Sequence, residues 1–591
     1  MRQADAVSLL LAGSLCLLPF LLPYHQSPIL SFQAEWLAAA LGTAAMLAMV
    51  TTRRGIEFVP VPLMARWLIA FALFLVAQSL IGSSNYAQQP LFGALYVLYA
   101  AVLIWLGAQL AATVGIERAA ITLAACLLAG ALANAVAGMV QFYGRPALLE
   151  DFVAELRGSR SYGNIAQSNL YANYLALGGT ALLFLWQRHR LRTPYALAAA
   201  LLLAWASALS GSRSALLYAM WFAALGLFAG KTQTGDDARR LKFAASALAS
   251  ALLAAHLAIP WINDALHLGP VSPGALDRLV GLSSDQTEGR WQAWPLALRV
   301  FADAPIFGAG IGELAGAIFE FGFSPEMARA GEVWTSAHNL PLHLLAETGA
   351  LGAALTLGGL VTWCWQAVRC YLLTPQPALW WIITAAGIEL IHSMFEYPLW
   401  NAHFLGVTAL LMGLATVAAT RAGTAARVSR ALAAGICAVF ALTLALLLRD
   451  YLRLDATRAT GTSLTLASPA DSERDAAVML RLSHGPLAPI AELWMFLGAP
   501  LDRSDLAARL EMSRRAARYS PSNAVVVRRA VFLALDGQAD AAQRLLVRAL
   551  RTFPHLCKAS VSILEQALAA DRAAIEPLLA LAKHASGTDR L

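Results

Sequence analysis

Leu91-Phe92-Gly93-Ala94-Leu95-Tyr96-Val97-Leu98-Tyr99-Ala100-Ala101-Val102-Leu103-Ile104-Trp105-Leu106-Gly107-Ala108-Gln109-Leu110-Ala111-Ala112-Thr113 runs for 23 residues without a charged side chain. At 1.5 Å per residue such a helix crosses the roughly 30 Å hydrocarbon core of a bilayer. Similar runs recur on both sides of it. The pattern predicts about thirteen spans, at 7–23, 36–50, 63–82, 91–113, 119–142, 168–186, 193–209, 213–230, 243–260, 341–366, 379–395, 401–420 and 431–448. Composition agrees: of 591 residues 59% are hydrophobic and 13% charged, against about 25% charged in soluble proteins. The expected fold is all-α and polytopic. Met1 to Pro23 is apolar but is followed by no small-residue cleavage site, so it reads as an uncleaved first helix.

The formal charge of +7 is unevenly spread. Basic residues collect in alternate loops: Arg53 and Arg54; Arg188, Arg190 and Arg192; Lys231, Arg239, Arg240 and Lys242; Arg421, Arg427 and Arg430. The intervening short loops at Tyr24–Glu35, Ser83–Pro90 and Glu396–Trp400 contain neither Lys nor Arg. This is the positive-inside pattern. It predicts a multi-pass protein of the bacterial inner membrane with a cytoplasmic N-terminus and, after an odd number of crossings, a periplasmic C-terminal tail. It explains the basic pI without a nucleic-acid partner. The six cysteines have no metal-ligand or disulfide spacing. Gly308, Gly310 and Gly312 lack the βαβ context of a dinucleotide site. No metal and no cofactor are expected.

The predicted organisation is a membrane core over 1–448, including an outer loop at 261–337, and a helical tail over 449–591. Within the loop, Gln286–Ala302 reads as an amphipathic helix, its Trp291, Trp294, Leu296 and Leu298 interleaved with Arg290 and Arg299. Such a helix can lie on a membrane surface. In the tail, Ala516-Ala517-Arg518-Tyr519-Ser520-Pro521 recurs as Ala549-Leu550-Arg551-Thr552-Phe553-Pro554, 33 residues on. That period suggests tetratricopeptide-like helical pairs, with a plain helical bundle as the alternative.

Chemistry-bearing residues gather where outer loops meet spans. In Ala337-His338-Asn339-Leu340-Pro341-Leu342-His343-Leu344-Leu345-Ala346-Glu347-Thr348-Gly349, Asn339 can cap a helix whose first turn admits Pro341. His338 then stands just outside, where an imidazole can serve as general base. Glu347 lies one turn beyond His343, and an intramembrane carboxylate is a functional candidate. The structural alternative makes His338 a loop residue and Glu347 a partner for a neighbouring helix. Arg213, Arg290, Arg157 and Arg160 are outer-face arginines suited to phosphate, though singly each is more often a salt-bridge partner. Gly163-Asn164-Ile165-Ala166-Gln167-Ser168-Asn169, continuing to Asn173 and Tyr174, is an amide-rich string. It suits a hydroxyl-rich ligand, or helix–helix hydrogen bonding. Glu389, His392, Ser393, Glu396 and Tyr397 close a later span.

Taken in order, these pieces resemble the PglL/PilO-type bacterial protein O-oligosaccharyltransferases, within the group that holds O-antigen ligases and polymerases. The matching pieces are Pro23-Tyr24-His25-x2-Pro28-x3-Phe32-x2-Glu35, Gly163-Asn164-x2-Gln167-x-Asn169, Ser210-x-Ser212-Arg213, Gly289-Arg290-x3-Trp294, His338-Asn339-x7-Glu347-x-Gly349 and Glu396-Tyr397-Pro398-Leu399. They span nearly the whole chain. The resemblance implies metal-independent transfer of a glycan from undecaprenyl diphosphate to a periplasmic acceptor protein such as a pilin, at the membrane lipid surface. It implies an essential His338, with Glu347 beside it, and a diphosphate clamp of Arg213, Arg290 and Arg160. Gln167, Asn169, Asn339, Glu396, Tyr397 and His25 would contact glycan or acceptor. Ser168 departs from the proline that many relatives carry after the Gln. The alternatives are an O-antigen ligase acting on lipid A–core, an O-antigen polymerase, and a lipid-linked glycan transporter.

Overall fold

The computed structural model describes residues 1–591 apart from 1–2, 27–28, 53–57, 82–83, 233–234, 271–273, 280–289, 323–324, 326, 328–330, 420–427, 462–468 and 588–591. The basic residues Arg53, Arg54, Arg421 and Arg427 therefore lie outside the described residues, as do Pro28, Glu288 and Gly289 of the motif segments. Among the described residues the regular structure is helical throughout. Each of the thirteen predicted segments is mainly helical in its described residues. Seven helices are long and apolar enough to cross a membrane: Phe32–Thr51, Leu63–Leu80, Gln88–Val114, Ile116–Tyr143, Ala238–Ala265, Leu340–Leu373 and Arg430–Thr457. Asp5–Leu21, Thr193–Leu209, Ser214–Phe228 and Ala402–Thr416 are apolar but shorter. Ser168–Gln187 and Pro377–Ser393 carry the polar side chains discussed below.

The chain divides into two compact units, neither continuous in sequence. The first comprises Met1–Ala70, Tyr96–Asp285 and Leu355–Ala445. Small residues set its helix spacing, because association inside a bilayer relies on close backbone packing. A Cβ on Gly107 would lie 2.3 Å from the Leu410 carbonyl oxygen, and one on Gly413 would lie 2.1 Å from that of Ile104. Gly130 and Gly138 likewise make room for the hydroxyls of Tyr174 and Tyr171.

The second unit comprises Phe71–Leu95, Gln286–Ala354 and Leu446–Leu591. The tail thus shares a unit with much of the large loop. Phe319, on the loop helix Leu314–Glu320, belongs to the same apolar core as the tail residues Phe496, Val526, Phe532, Leu546 and Leu564. Gly316 lets that helix settle on the tail, since a Cβ there would meet the Arg518 carbonyl at 2.3 Å. Tail helices Leu506–Tyr519 and Ala539–Thr552 begin and end 33 residues apart, the offset legible in the sequence, with Ala516 and Ala549 fully buried.

The predicted surface helix is Arg290–Asp303 and contains Pro295. Much of its apolar face is covered by protein. Ala293, Leu296, Ala297 and Val300 pack against Leu314, Ile318, Trp334 and Ala346, leaving Trp291 and Leu298 exposed. A further difference concerns the predicted span at 341–366. The helix Leu340–Leu373 is broken at Gly349, where φ is 63° and ψ is −171°. The chain at 305–310 lies along the break: the Ala309 and Gly310 amides donate to the Ala346 and Glu347 carbonyls at 2.9 and 3.0 Å, and Ala350 N–H donates to Pro305 O at 2.8 Å. A Cβ at Gly349 would sit 2.3 Å from the Ile306 carbonyl oxygen.

Candidate active site

In the second unit, the helix that follows His338 starts as its sequence requires. Asn339 Oδ1 accepts the Leu342 N–H at 3.1 Å, an N-cap bond, and Pro341 occupies the first turn, where no donor is needed. His338 is half-buried and has φ +48°, in the left-handed region that non-glycine side chains disfavour. Its amide donates to Ser336 Oγ at 3.1 Å.

Glu347 is buried, and its partners are other than the His338 ring. The His343 ring lies 3.1 Å away (Nε2 to Oε2), and the Leu314 amide donates to Oε1 at 3.2 Å. His343 Nδ1 accepts the Ala337 N–H at 3.3 Å, so the neutral ring carries its proton on Nε2. Gln78 donates to the Glu347 and Phe307 carbonyls at 3.0 and 2.9 Å. These bonds fix the short helix between Leu340 and Gly349, and with it the position of His338. Arg290 is the first residue of its helix, and its side chain lies outside the described residues.

In the first unit, Glu396 collects the amide string. Its buried carboxylate accepts from Asn169 Nδ2 at 2.5 Å and Gln167 Nε2 at 3.4 Å. Arg160 donates to Asn169 Oδ1 at 3.1 Å and to Ser210 O at 2.8 Å, which ties the string to the Ser210–Arg213 turn. One turn deeper, Asn173 donates to Glu389 at 2.9 Å and Tyr218 pairs with His392 at 2.5 Å. Tyr397 and Arg213 are half-buried near these groups in sequence. His25 Nε2 lies 2.9 Å from the Asn164 carbonyl, while the Asn164 side chain donates to Leu21 O and Phe152 O and accepts from the Ala154 amide. Asn164 and His25 therefore hold loops together. Ala166 is a second non-glycine residue with positive φ, at +64°, directly before Gln167. Ser168 begins the helix Ser168–Gln187. That first position accepts proline or serine equally, so the departure from the relatives' proline leaves this turn intact.

The structure adds one arginine that sequence reasoning passed over. Arg278, buried in the short helix Ala275–Leu279, donates to the Gly211 carbonyl at 3.1 Å. It and Arg160 hold adjacent carbonyls of the Ser210–Arg213 turn. Nothing around Arg278 marks it as a motif; its only signal was a basic residue on the side where such residues are rare.

Parts of the chain match known families. Residues 198–357, which include Arg213, Arg290, His338 and Glu347, match the O-antigen ligase family. Residues 380–566, which include Glu396 and Tyr397, match a family described as virulence factor membrane-bound polymerase, C-terminal. The chain is 28% identical over 450 residues to a general O-oligosaccharyltransferase of Acinetobacter baylyi, covering 75% of each protein. Over these stretches, which hold the motif residues, the chain is similar to membrane glycosyltransferases of the O-antigen ligase superfamily, of the O-oligosaccharyltransferase type.

Proposed function

We propose that the protein transfers an oligosaccharide en bloc from undecaprenyl diphosphate to Ser or Thr hydroxyls of periplasmic proteins, pilins among them, without a metal ion. It sits in the inner membrane, with thirteen crossings and both His338 and the tail facing the periplasm. Arg213, Arg290 and Arg160 hold the diphosphate and offset the charge that grows on it as it leaves. The acceptor oxygen attacks the anomeric carbon while the bond to the diphosphate breaks, and His338 takes the hydroxyl proton as the new bond forms. Gln167, Asn169, Glu396, Tyr397 and His25 shape the glycan and acceptor site, with Asn339 and Glu347 keeping the His338 helix in place. The core at 1–448 carries the chemistry, and the tail at 449–591, a tetratricopeptide-like array, receives the acceptor.

The observation that carries this reading is where the backbone is strained. Of the five non-glycine residues with positive φ among those described, two, His338 and Ala166 beside Gln167, stand on segments that carry the resemblance. Such conformations persist where function holds them. The test is reconstitution of the purified protein with a lipid-linked oligosaccharide and three acceptors: a pilin-type protein, lipid A–core, and a second lipid-linked glycan. Intact-mass analysis should find glycan on the protein, insensitive to EDTA and absent with His338→Ala. The polymerase-family match at 380–566 favours a second reading, in which glycan is added to glycan. Product on the third acceptor alone would establish that one.

A further inference from the structure

The second unit contains a cavity of about 280 Å³ far along the chain from the motif residues, between tail helices and the loop helix Leu314–Glu320. Ala541, Arg544, Leu545 and Arg548 contribute one face of the helix Ala539–Thr552, following its i, i+3, i+4, i+7 spacing. Arg529 and Leu533 enter from the helix Asn523–Leu535. Phe319 forms apolar wall and Arg518 completes a set of four guanidinium groups, against the single carboxylate of Glu320.

The charges are not balanced from within. Arg518 is engaged by buried Glu313, 3.0 Å away, and Arg548 donates to the Phe319 carbonyl at 3.4 Å. Among the described residues neither Arg529 nor Arg544 has a carboxylate within ion-pair distance. Burial holds the Arg529 guanidinium below its usual range; Glu320 opposes this, and the like charges of Arg514 and Arg548 add to it. A half-buried cluster of like charges lowers its free energy by taking up an anion. Guanidinium groups favour carboxylate or phosphate. The apolar wall decides between those two. A phosphate would leave Phe319, Leu533 and Leu545 unused, whereas an extended peptide presents carboxylates and apolar side chains together. The volume suits a few side chains and falls just short of a typical drug-sized pocket.

We infer that this cavity binds an acidic segment of the acceptor polypeptide, its carboxylates on Arg529 and Arg544 and an apolar side chain against Phe319 and Leu545. The inference rests on the protein-acceptor reading above and supplies it with a recognition rule: acceptors carry Asp or Glu around an apolar residue, away from the glycosylated hydroxyl. The test uses full-length purified protein and fluorescence anisotropy with an eight-residue peptide alternating Glu and Leu. A control peptide replaces each Glu by Gln. The acidic peptide should bind at least tenfold more tightly than its control. Arg529→Gln and Arg544→Gln should each remove most of that difference, whereas exposed Arg572→Gln should not. Thermal melts confirm that the variants remain folded.

Equal binding of the two peptides, or unaltered binding in both cavity variants, overturns the inference. So does displacement of the peptide by anionic vesicles or inorganic phosphate at matched charge concentration, which would assign the cavity to a headgroup or a free anion. The underlying reading is judged separately, by glycan transfer to an intact pilin-type acceptor protein that carries acidic residues. Failure there in the wild-type protein removes the protein-acceptor function, while anisotropy still decides what the cavity binds.

Discussion

At His338 and at Glu347, one turn beyond His343, the same short helix supports two kinds of residue. His338 sits at the helix entrance on a strained backbone, whereas Glu347 is buried and engaged by His343 and the Leu314 amide. On the proposed roles, His338→Ala should abolish transfer and leave donor affinity within about twofold. Arg213→Ala should weaken donor binding by roughly 1.5–3 kcal/mol, the range for a charge-assisted contact, and Arg213→Lys should restore only part of it. Equilibrium binding of a lipid diphosphate analogue separates the two, and equal affinity in every variant would break the assignment. Glu313 makes a pH prediction. Burial pushes its carboxyl up to about 7, although the Asn85 amide at 2.6 Å and Arg518 both pull it down. A folded value above the unfolded one means the native state binds more protons, so stability falls as pH rises from about 4.5 to 7 and stays reduced above. Glu313→Gln should therefore stabilise the protein at pH 8, by about 3 kcal/mol at most and visible as a higher Tm, and leave it unchanged at pH 4. A Tm unchanged or lower at pH 8 would count against that sign. The helix start at Asn339 was legible in the sequence because capping and proline signals coincide there. Arg278 and the partners of Glu347 were not, since their contacts join residues tens of positions apart.

At the scale of elements, length and hydropathy located apolar helices, seven of them among the described residues long enough to span, because a bilayer demands long unbroken apolar runs. They could not reveal the break at Gly349. Thr348-Gly349-Ala350 interrupts neither hydropathy nor helical period; what breaks the helix is the chain at 305–310 hydrogen-bonding across it. With φ 63° and ψ −171°, Gly349 occupies a region that is almost exclusive to glycine. Gly349→Ala should cost at least about 1–3 kcal/mol from backbone conformation alone, and more from the contact with Ile306. The measurement is thermal unfolding in detergent, and a variant as stable as wild type would show that the break relaxes freely. The apolar face of Arg290–Asp303 was misassigned for a related reason. A sequence shows that such a face must be covered, but not whether lipid or protein covers it.

Across the whole molecule, alternating basic loops give a complete topology, and it can be tested at one point. A reporter fused after Asp455 should be active as a periplasmic fusion and silent as a cytoplasmic one; the reverse would invert the proposed orientation. The grouping of the tail with 71–95 and 286–354 was beyond the sequence, since no linker or change in composition marks those two segments. It also constrains how the tail can be studied. Removing residues 470–591 would strip Phe319 of its core partners and leave buried Glu313 without Arg518, so point substitutions in the cavity are the cleaner probe of acceptor binding.

Discontinuity has a temporal side as well. Asn85 donates through its side chain to the Arg515 carbonyl and Tyr86 donates to Glu492, so residues made early wait for partners made late. Roughly 350 residues separate Leu95 from Leu446, and at about 5–20 residues per second the ribosome needs on the order of 20–70 s to cover them. Over that interval the nascent 71–95 segment, joined later by 286–354, holds unpaired polar groups and uncovered apolar surface. They are natural clients for chaperones and targets for quality-control proteases. In a pulse–chase experiment with limited proteolysis, the 286–354 segment should become resistant only after the tail has been synthesised. Resistance acquired before residue 446 is made would mean that this part of the unit matures alone.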